Sequence, residues 1–171
     1  MTEGPGQKRS PARSPDGRTI AFEIDDGRTG QIYVVGAEGG TPRVLGPGGT
    51  RNETPSWSHD GGRIAFSSDR SGKAESEATK ELRRNPGGEL LPPNVAAQDL
   101  YVMNADGTGV VQVTSDPSSN YAPVWSPDNM HLAFVSDRDG QNHIYLTGLQ
   151  GGRERRLTTG FRFTEAPSWT R

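Results

Sequence analysis

The sequence predicts an all-β fold assembled from four-stranded antiparallel sheets, and three observations carry that expectation. Its 171 residues include 23 glycines and 13 prolines, which disfavour long helices. Its apolar residues are 30% of the chain, with a mean hydropathy of −0.77, and they fall in runs too short for a core helix or a membrane span. One pattern of tryptophan, aspartate, tyrosine and glycine returns several times with the same internal spacing.

The repeat is read from its anchors. Trp57, Trp125 and Trp169 each follow a proline by two residues (Pro55, Pro123, Pro167), and Arg13 after Pro11 stands at a fourth such place. Twelve residues past Arg13, Trp57 and Trp125 come Asp25, Asp69 and Asp137. Tyr33 and Tyr145 follow their aspartates by eight residues, whereas Tyr101 follows Asp69 by 32, so the middle unit carries a 24-residue insertion within an underlying period of 44. From each tyrosine the count closes again, with a glycine at six (Gly39, Gly107, Gly151), an aliphatic residue at twelve (Leu45, Val113, Leu157) and the next tryptophan at 24.

Each unit holds four candidate strands. The first ends at the tryptophan. The second is Ile20–Phe22, Ile64–Phe66 or Leu132–Phe134, and the third is Ile32–Val34, Leu100–Val102 or Ile144–Leu146. The fourth ends at the aliphatic residue. Short apolar runs bounded by turn residues suit strands covered on both faces. Between first and second strands lie Ser14-Pro15-Asp16-Gly17, Ser58-His59-Asp60-Gly61 and Ser126-Pro127-Asp128-Asn129, where aspartate bonds the local backbone and glycine or asparagine accepts positive φ. Asn104-Ala105-Asp106-Gly107 does the same between third and fourth strands.

Four antiparallel strands per unit, repeated, are the mark of β-propeller blades. The expected organisation is a disordered amino-terminal tail over 1–10, blade 1 over about 11–46, blade 2 over 54–114 with an insertion at 74–97, blade 3 over 122–158, and an extra first strand at 166–170. Trp57, Trp125, Trp169, Tyr33, Tyr101 and Tyr145 are the packing anchors.

The residues resemble a known family at this point. Trp125-Ser126-Pro127-Asp128, Ser136-Asp137-Arg138, Leu100 to Gly107 and Leu157-Thr158 are similar to the WD40-like β-propeller repeats of the TolB type, over about 11–171 apart from the insertion. The match departs at Arg13, at Asp26 where arginine is expected, and at Gly36 and Gly148 where asparagine is expected. The resemblance implies a setting in envelope protein transport, binding to a lipoprotein or other partner, and a periplasmic location. Met1 to Ser14 shows Lys8, Arg9 and Arg13 without the apolar stretch of a secretory signal, so the chain as it stands reads as cytoplasmic and the compartment stays open.

Propellers generally close with four to eight blades, so three blades form an incomplete ring. Two completions are expected. In one, a two-fold dimer makes six blades, the carboxy-terminal strand of each protomer completing the first blade of the other. In the other, the chain is a fragment of a longer propeller.

Composition and motifs restrict the function. Nineteen basic against 21 acidic residues give a net charge of −2, which provides no footprint for nucleic acid or an anionic membrane. Without cysteine there is no disulfide, thiolate nucleophile or zinc ribbon. No Gly-x-Ser-x-Gly or His-Glu-x-x-His occurs, and His59, His131 and His143 are spread over two units and opposite rims, so no catalytic residues, cofactor or metal are expected. The expected function is a noncatalytic scaffold that binds a protein or peptide through its loop-rich rim or its channel. That rim collects Asp25, Asp69, Arg70, Asp137 and Arg138, with Glu53 and Glu165 lining the channel four residues before their tryptophans. The Asp69-Arg70 and Asp137-Arg138 pairs either ring the channel mouth or, as their recurrence favours, stitch neighbouring blades together. Ala74 to Arg84 in the insertion reads as a short helix, in a loop that is a recognition flap or a tolerated surface insertion. The alternative function is the gating propeller of a prolyl-oligopeptidase or tricorn-like peptidase, here without its hydrolase domain. A lyase or glycan-acting propeller would need clustered ionisable residues on the inner strands.

Overall fold

Tight turns set the architecture. The computed structural model describes residues 6–72, 97–150, 152, 154–159 and 167–169, and in it three four-stranded antiparallel sheets follow one another, each with its strands in chain order. Blade 1 holds β1 (Gln7–Arg13), β2 (Thr19–Asp25), β3 (Gly30–Gly36) and β4 (Arg43–Leu45). Blade 2 holds β5 (Asn52–Trp57), β6 (Arg63–Ser68), β7 (Asp99–Asn104) and β8 (Val111–Gln112). Blade 3 holds β9 (Asn120–Trp125), β10 (His131–Ser136), β11 (His143–Gly148) and β12 (Arg155–Arg156).

The Ser-x-Asp motif closes each first hairpin with its own side chains. Ser14 Oγ donates to Asp16 Oδ1 at 2.6 Å and accepts from Thr19 N at 2.9 Å, while Arg18 N donates to the same carboxylate at 3.0 Å. Ser58 and Asp60 repeat this with Gly62 N and Arg63 N, and Ser126 and Asp128 with Met130 N and His131 N. Gly17 and Gly61 take φ of 73° and 71°, and Asn129 supplies the same left-handed backbone at 59°.

Every first strand also carries a bulge. Pairing shifts register between Arg9 and Ala12 in β1 and between Glu53 and Ser56 in β5, and β9 shifts opposite Ala133 and Val135. Ser10, Thr54 and Ala122, one per bulge, hold φ of 49°, 51° and 52° without being glycine. Such bulges bend a strand and re-aim the side chains beside them.

Alternation along the strands builds two cores. Ala21, Ile32, Val34 and Leu45 of blade 1 meet Ile64, Phe66, Tyr101 and Met103 of blade 2. Ala65 and Leu100 of blade 2, with Val113 just past β8, meet Trp125, Leu132, Phe134 and Tyr145 of blade 3. Neighbouring residues of β6 thus face opposite blades, as a period of two requires. The tryptophans join the blades: Trp57 Nε1 donates to Ala12 O at 3.1 Å, and Trp125 Nε1 donates to Ser56 O at 3.0 Å. At the turn edge Gly107, with φ of 93°, admits the blade 1 backbone so closely that a Cβ there would stand 2.7 Å from Gly46 N.

Three expectations change. Residues 7–10 belong to β1 rather than to a disordered tail, because their backbone pairs with Glu23–Asp25 without needing apolar side chains. β1 therefore occupies the place beside β2 that the strand-exchanged dimer reserved for a second copy's carboxy terminus. Pro167, Ser168 and Trp169 lie outside every sheet, and Trp169 is 40% exposed. The expected helix of the insertion lies outside the described residues. The array is open: the outer face of blade 1 forms an apolar hollow of about 270 Å³ lined by Pro11, Ile20, Phe22 and Val35.

Candidate functional site

The bulges at Ser10 and Thr54 place both residues on a polar depression of about 450 Å³ between the first strands of blades 1 and 2. Arg9, Glu23, Asp25, Arg51 and Glu53 complete its lining. Arg51 pairs with Glu53 at 3.1 Å, and Gln98 Nε2 donates to the other Glu53 oxygen at 2.7 Å. Arg9 pairs with Asp25 at 3.3 Å, and Gly27 N donates to the second Asp25 oxygen at 2.7 Å. Gly30 leaves room for two carboxylates, since a Cβ there would lie 3.3 Å from Glu23 Oε1 and 3.4 Å from Glu53 Cγ.

Glu23 is the unusual member. It is 3% exposed, and no hydrogen bond reaches its carboxylate among the described residues. Burial, followed by the charges of Glu53 and Asp25, pushes its pKa up to about 7 against the opposing pull of Arg9 and Arg51. Near neutral pH the depression therefore offers two guanidinium donors, two paired carboxylates and one carboxyl group poised between donor and acceptor. Such a surface suits a polar polypeptide segment, whose own donors and acceptors find partners at short range.

The expected rim residues divide between this depression and the sheets. Asp25 and Glu53 line it. Asp69 accepts from Arg51 N at 2.9 Å, and Asp137 accepts from Ser119 N at 2.9 Å, each fastening the start of its own blade's first strand. Arg70 donates to Ser68 Oγ at 3.1 Å and Asn52 Oδ1 at 2.5 Å, with its guanidinium 4.9 Å from the Tyr101 ring centre. Arg138 does the same with Ser136, Asn120 and Tyr145, and also pairs with Asp116 at 3.1 Å and with Glu154. These pairs brace single blades and the connection entering blade 3. The expectation that they stitch neighbouring blades is corrected, because the arginine lies along its own sheet, over its own aromatic pair. In blade 1 Asp26 takes the arginine's place and accepts from Arg28 N and Thr29 N at 2.8 and 2.7 Å. Glu165 lies outside the described residues.

Three residues of the depression escape a reading by motif. Arg9 and Arg51 precede the apolar strand signal. Glu23 interrupts the run Ile20-Ala21-Phe22-Glu23-Ile24 at a place where the other blades have Ser67 and Val135, and that break in the repeat is its signal. Ionisable residues do cluster on the inner strands, which the repeated glutamates alone did not suggest. His143 is buried and approaches Thr158 Oγ1 through Nδ1 at 3.3 Å, rather than sitting on the surface. Among the described residues no group of three or more histidine, aspartate or glutamate side chains is arranged to hold a metal ion.

Comparison with known proteins agrees with this architecture. The model of the TolB beta propeller domain matches residues 93–171. The Tol-Pal system protein TolB of Bordetella pertussis is 30% identical over 156 residues, covering 78% of this chain and 35% of that protein. The chain thus spans about a third of the length of the curated relatives it matches. A structure described as TolB of Agrobacterium tumefaciens superimposes with a TM-score of 0.67 at 23% identity, over 94% of this chain and 50% of that one. A puromycin-hydrolysing peptidase of Mycobacterium tuberculosis superimposes with a TM-score of 0.65 at 19% identity, over 91% of this chain and 22% of that one, and shares the fold alone.

Proposed function

This chain is built of TolB-type β-propeller repeats, and from that premise we propose that it is a noncatalytic scaffold that binds a protein or peptide at the depression between the first strands of blades 1 and 2. The observation that carries the reading is the convergence of Arg9, Arg51, Asp25 and Glu53 around the buried Glu23, which stands where the other blades have Ser67 and Val135. Pairing within the set keeps each charge in place before a partner arrives, which lowers the ordering cost of binding. The relative in Bordetella pertussis is named as a protein of the Tol-Pal system, which supports a protein partner here.

The open outer face of blade 1 calls for further blades, supplied by a second copy or by a longer chain of which these blades are part. Light scattering at rising concentration separates these two: a mass that doubles supports the second copy.

The binding function is tested by photo-crosslinking from position 54 in an envelope extract, with the captured protein identified by mass spectrometry. One partner should be captured by the parent protein and lost on Glu53→Lys, with unchanged circular dichroism showing that the variant is folded. A second variant lacking residues 74–97 tests the insertion as a flap. Equal capture by the parent and the Glu53→Lys variant refutes the depression as the binding site. The peptidase alternative shares only the fold, and it predicts that the native reading frame continues into a nucleophile elbow.

A further inference from the structure

The two blade junctions are built from the same repeat positions but are filled differently at the turn edge. Between blades 2 and 3, Arg63 at the start of β6 lays its guanidinium 4.7 Å from the centre of the Trp125 ring and donates to Asn129 O at 3.0 Å. Asp60 stands in its field, and Trp125 beneath it is 2% exposed. Counting back along the repeat, the corresponding positions between blades 1 and 2 are Thr19 for Arg63, Trp57 for Trp125, Gly61 for Asn129 and Asp16 for Asp60. Three of the four keep the chemistry: an indole face, a turn carbonyl and a carboxylate. Only the cation is replaced, by a threonine too short to reach across.

The result is a crevice of about 350 Å³ at this junction, lined by Asp16, Thr19, Trp57, Asp60 and Gly61. Trp57 is half-buried where Trp125 is covered. Its indole N–H is committed to Ala12 O, so the ring is fixed in place with its remaining surface toward the opening. Hydrogen bonds from Ser14 and Arg18 N hold the Asp16 carboxyl below the usual range, and those from Ser58 and Gly62 N do the same for Asp60, so both are ionised at neutral pH. One basic side chain, Arg43, also borders the crevice, and its guanidinium is directed to Asp106 O on the blade 2 turn at 3.5 Å. The lining thus holds two carboxylates and one arginine, while Arg18 acts on Asp16 and Arg63 on Asp60 from beside it, and none of these three arginines lies over the Trp57 ring among the described residues.

We propose that this crevice is a binding site for the guanidinium group of an arginine from a partner polypeptide, which lies on the Trp57 ring and donates to Gly61 O as Arg63 does on Trp125 and Asn129. A planar, weakly hydrated cation stacks on an indole while its edge forms hydrogen bonds, a combination an ammonium group matches poorly. The site lies at the edge of the first-to-second turns, away from the depression around Glu23, so neither proposal depends on the other.

The test uses the full chain, ¹⁵N-labelled, titrated with acetyl-Gly-Arg-Gly-amide while the indole N–H signals are followed by NMR. Trp57→Phe assigns the relevant signal. The Trp57 signal should move saturably and the Trp125 signal should stay fixed. The same peptide with citrulline, which keeps the shape and removes the charge, should bind at least about tenfold more weakly. Thr19→Arg should abolish binding by supplying the missing cation internally, with an unmoved Trp125 signal reporting that the fold is kept. Arg43→Ala should bind the peptide as the parent does or more tightly. No saturable shift in the parent overturns the proposal. So does equal binding of the citrulline or lysine peptide, undiminished binding by Thr19→Arg, or binding that appears only in Arg43→Ala and marks Arg43 as the crevice's own occupant.

Discussion

Replacing Trp125 by phenylalanine tests the joint between blades. The indole is 2% exposed, donates to Ser56 O at 3.0 Å and carries the Arg63 guanidinium 4.7 Å from its centre. Phenylalanine keeps a ring and loses the donor, so the Ser56 carbonyl gives up its partner at a cost of about 1–3 kcal/mol. The smaller ring buries less apolar area, worth roughly 1 kcal/mol, and holds the cation about 0.5 kcal/mol less firmly. Together these give about 3 kcal/mol, a large share of the roughly 5–15 kcal/mol that holds an ordinary domain together. For a chain of this size the melting temperature should fall by roughly 6–12 °C. Urea unfolding followed by circular dichroism at low protein concentration measures it, and Trp169→Phe is the control. That tryptophan is 40% exposed and should change stability by no more than about 0.5 kcal/mol. If Trp125→Phe costs less than about 1 kcal/mol, or the two variants lose the same amount, the indole-to-carbonyl joint does not hold the blades.

Two further outcomes follow from the geometry. Glu23, with a pKa pushed from 4.5 to about 7, stays protonated in the folded chain while the unfolded chain ionises, so its contribution is fully present below about pH 4.5 and is lost as pH rises to 7. The loss is up to roughly 3 kcal/mol, and Glu23→Gln should flatten the fall in urea midpoint measured between pH 4.5 and 8. Gly107→Ala adds a Cβ 2.7 Å from Gly46 N at a φ of 93°, whereas Gly27→Ala, at 86°, meets nothing within 4 Å. The first should lose about 2–4 kcal/mol in thermal unfolding and the second about 1 kcal/mol, the cost of the left-handed backbone alone.

Most of the strand plan was legible because the repeat places its informative residues at turns and between sheets. Aspartate and glycine mark Ser14–Gly17 and its copies through local hydrogen bonds that need no tertiary partner. Trp125, Phe134 and Tyr145 keep their spacing because each must meet the blade before. What escaped notice lacks such a constraint. Gln7 to Ser10 pair through the backbone, so their polar side chains resemble a tail. Ser10, Thr54 and Ala122 adopt a left-handed backbone that their residue types do not announce. The partners of Arg70 and Arg138 differ from the expected ones because a repeated charge fits either a joint between sheets or a brace within one. Only the direction of the guanidinium, folded back over Tyr101 and Tyr145, separates the two.

The indole links also have a direction. Each runs from a donor on the later blade to a carbonyl on the earlier one, so every junction has two unlike sides and the series has a sense, as a zip has. A copy of blade 2 or blade 3 inserted in register would meet its neighbours through bonds they already make, whereas blade 1, with Arg13 at the tryptophan position, brings no indole. Lengthening such a chain by duplication therefore requires no new contact to be invented, while turning a unit back to front would leave both indole and carbonyl facing the wrong way.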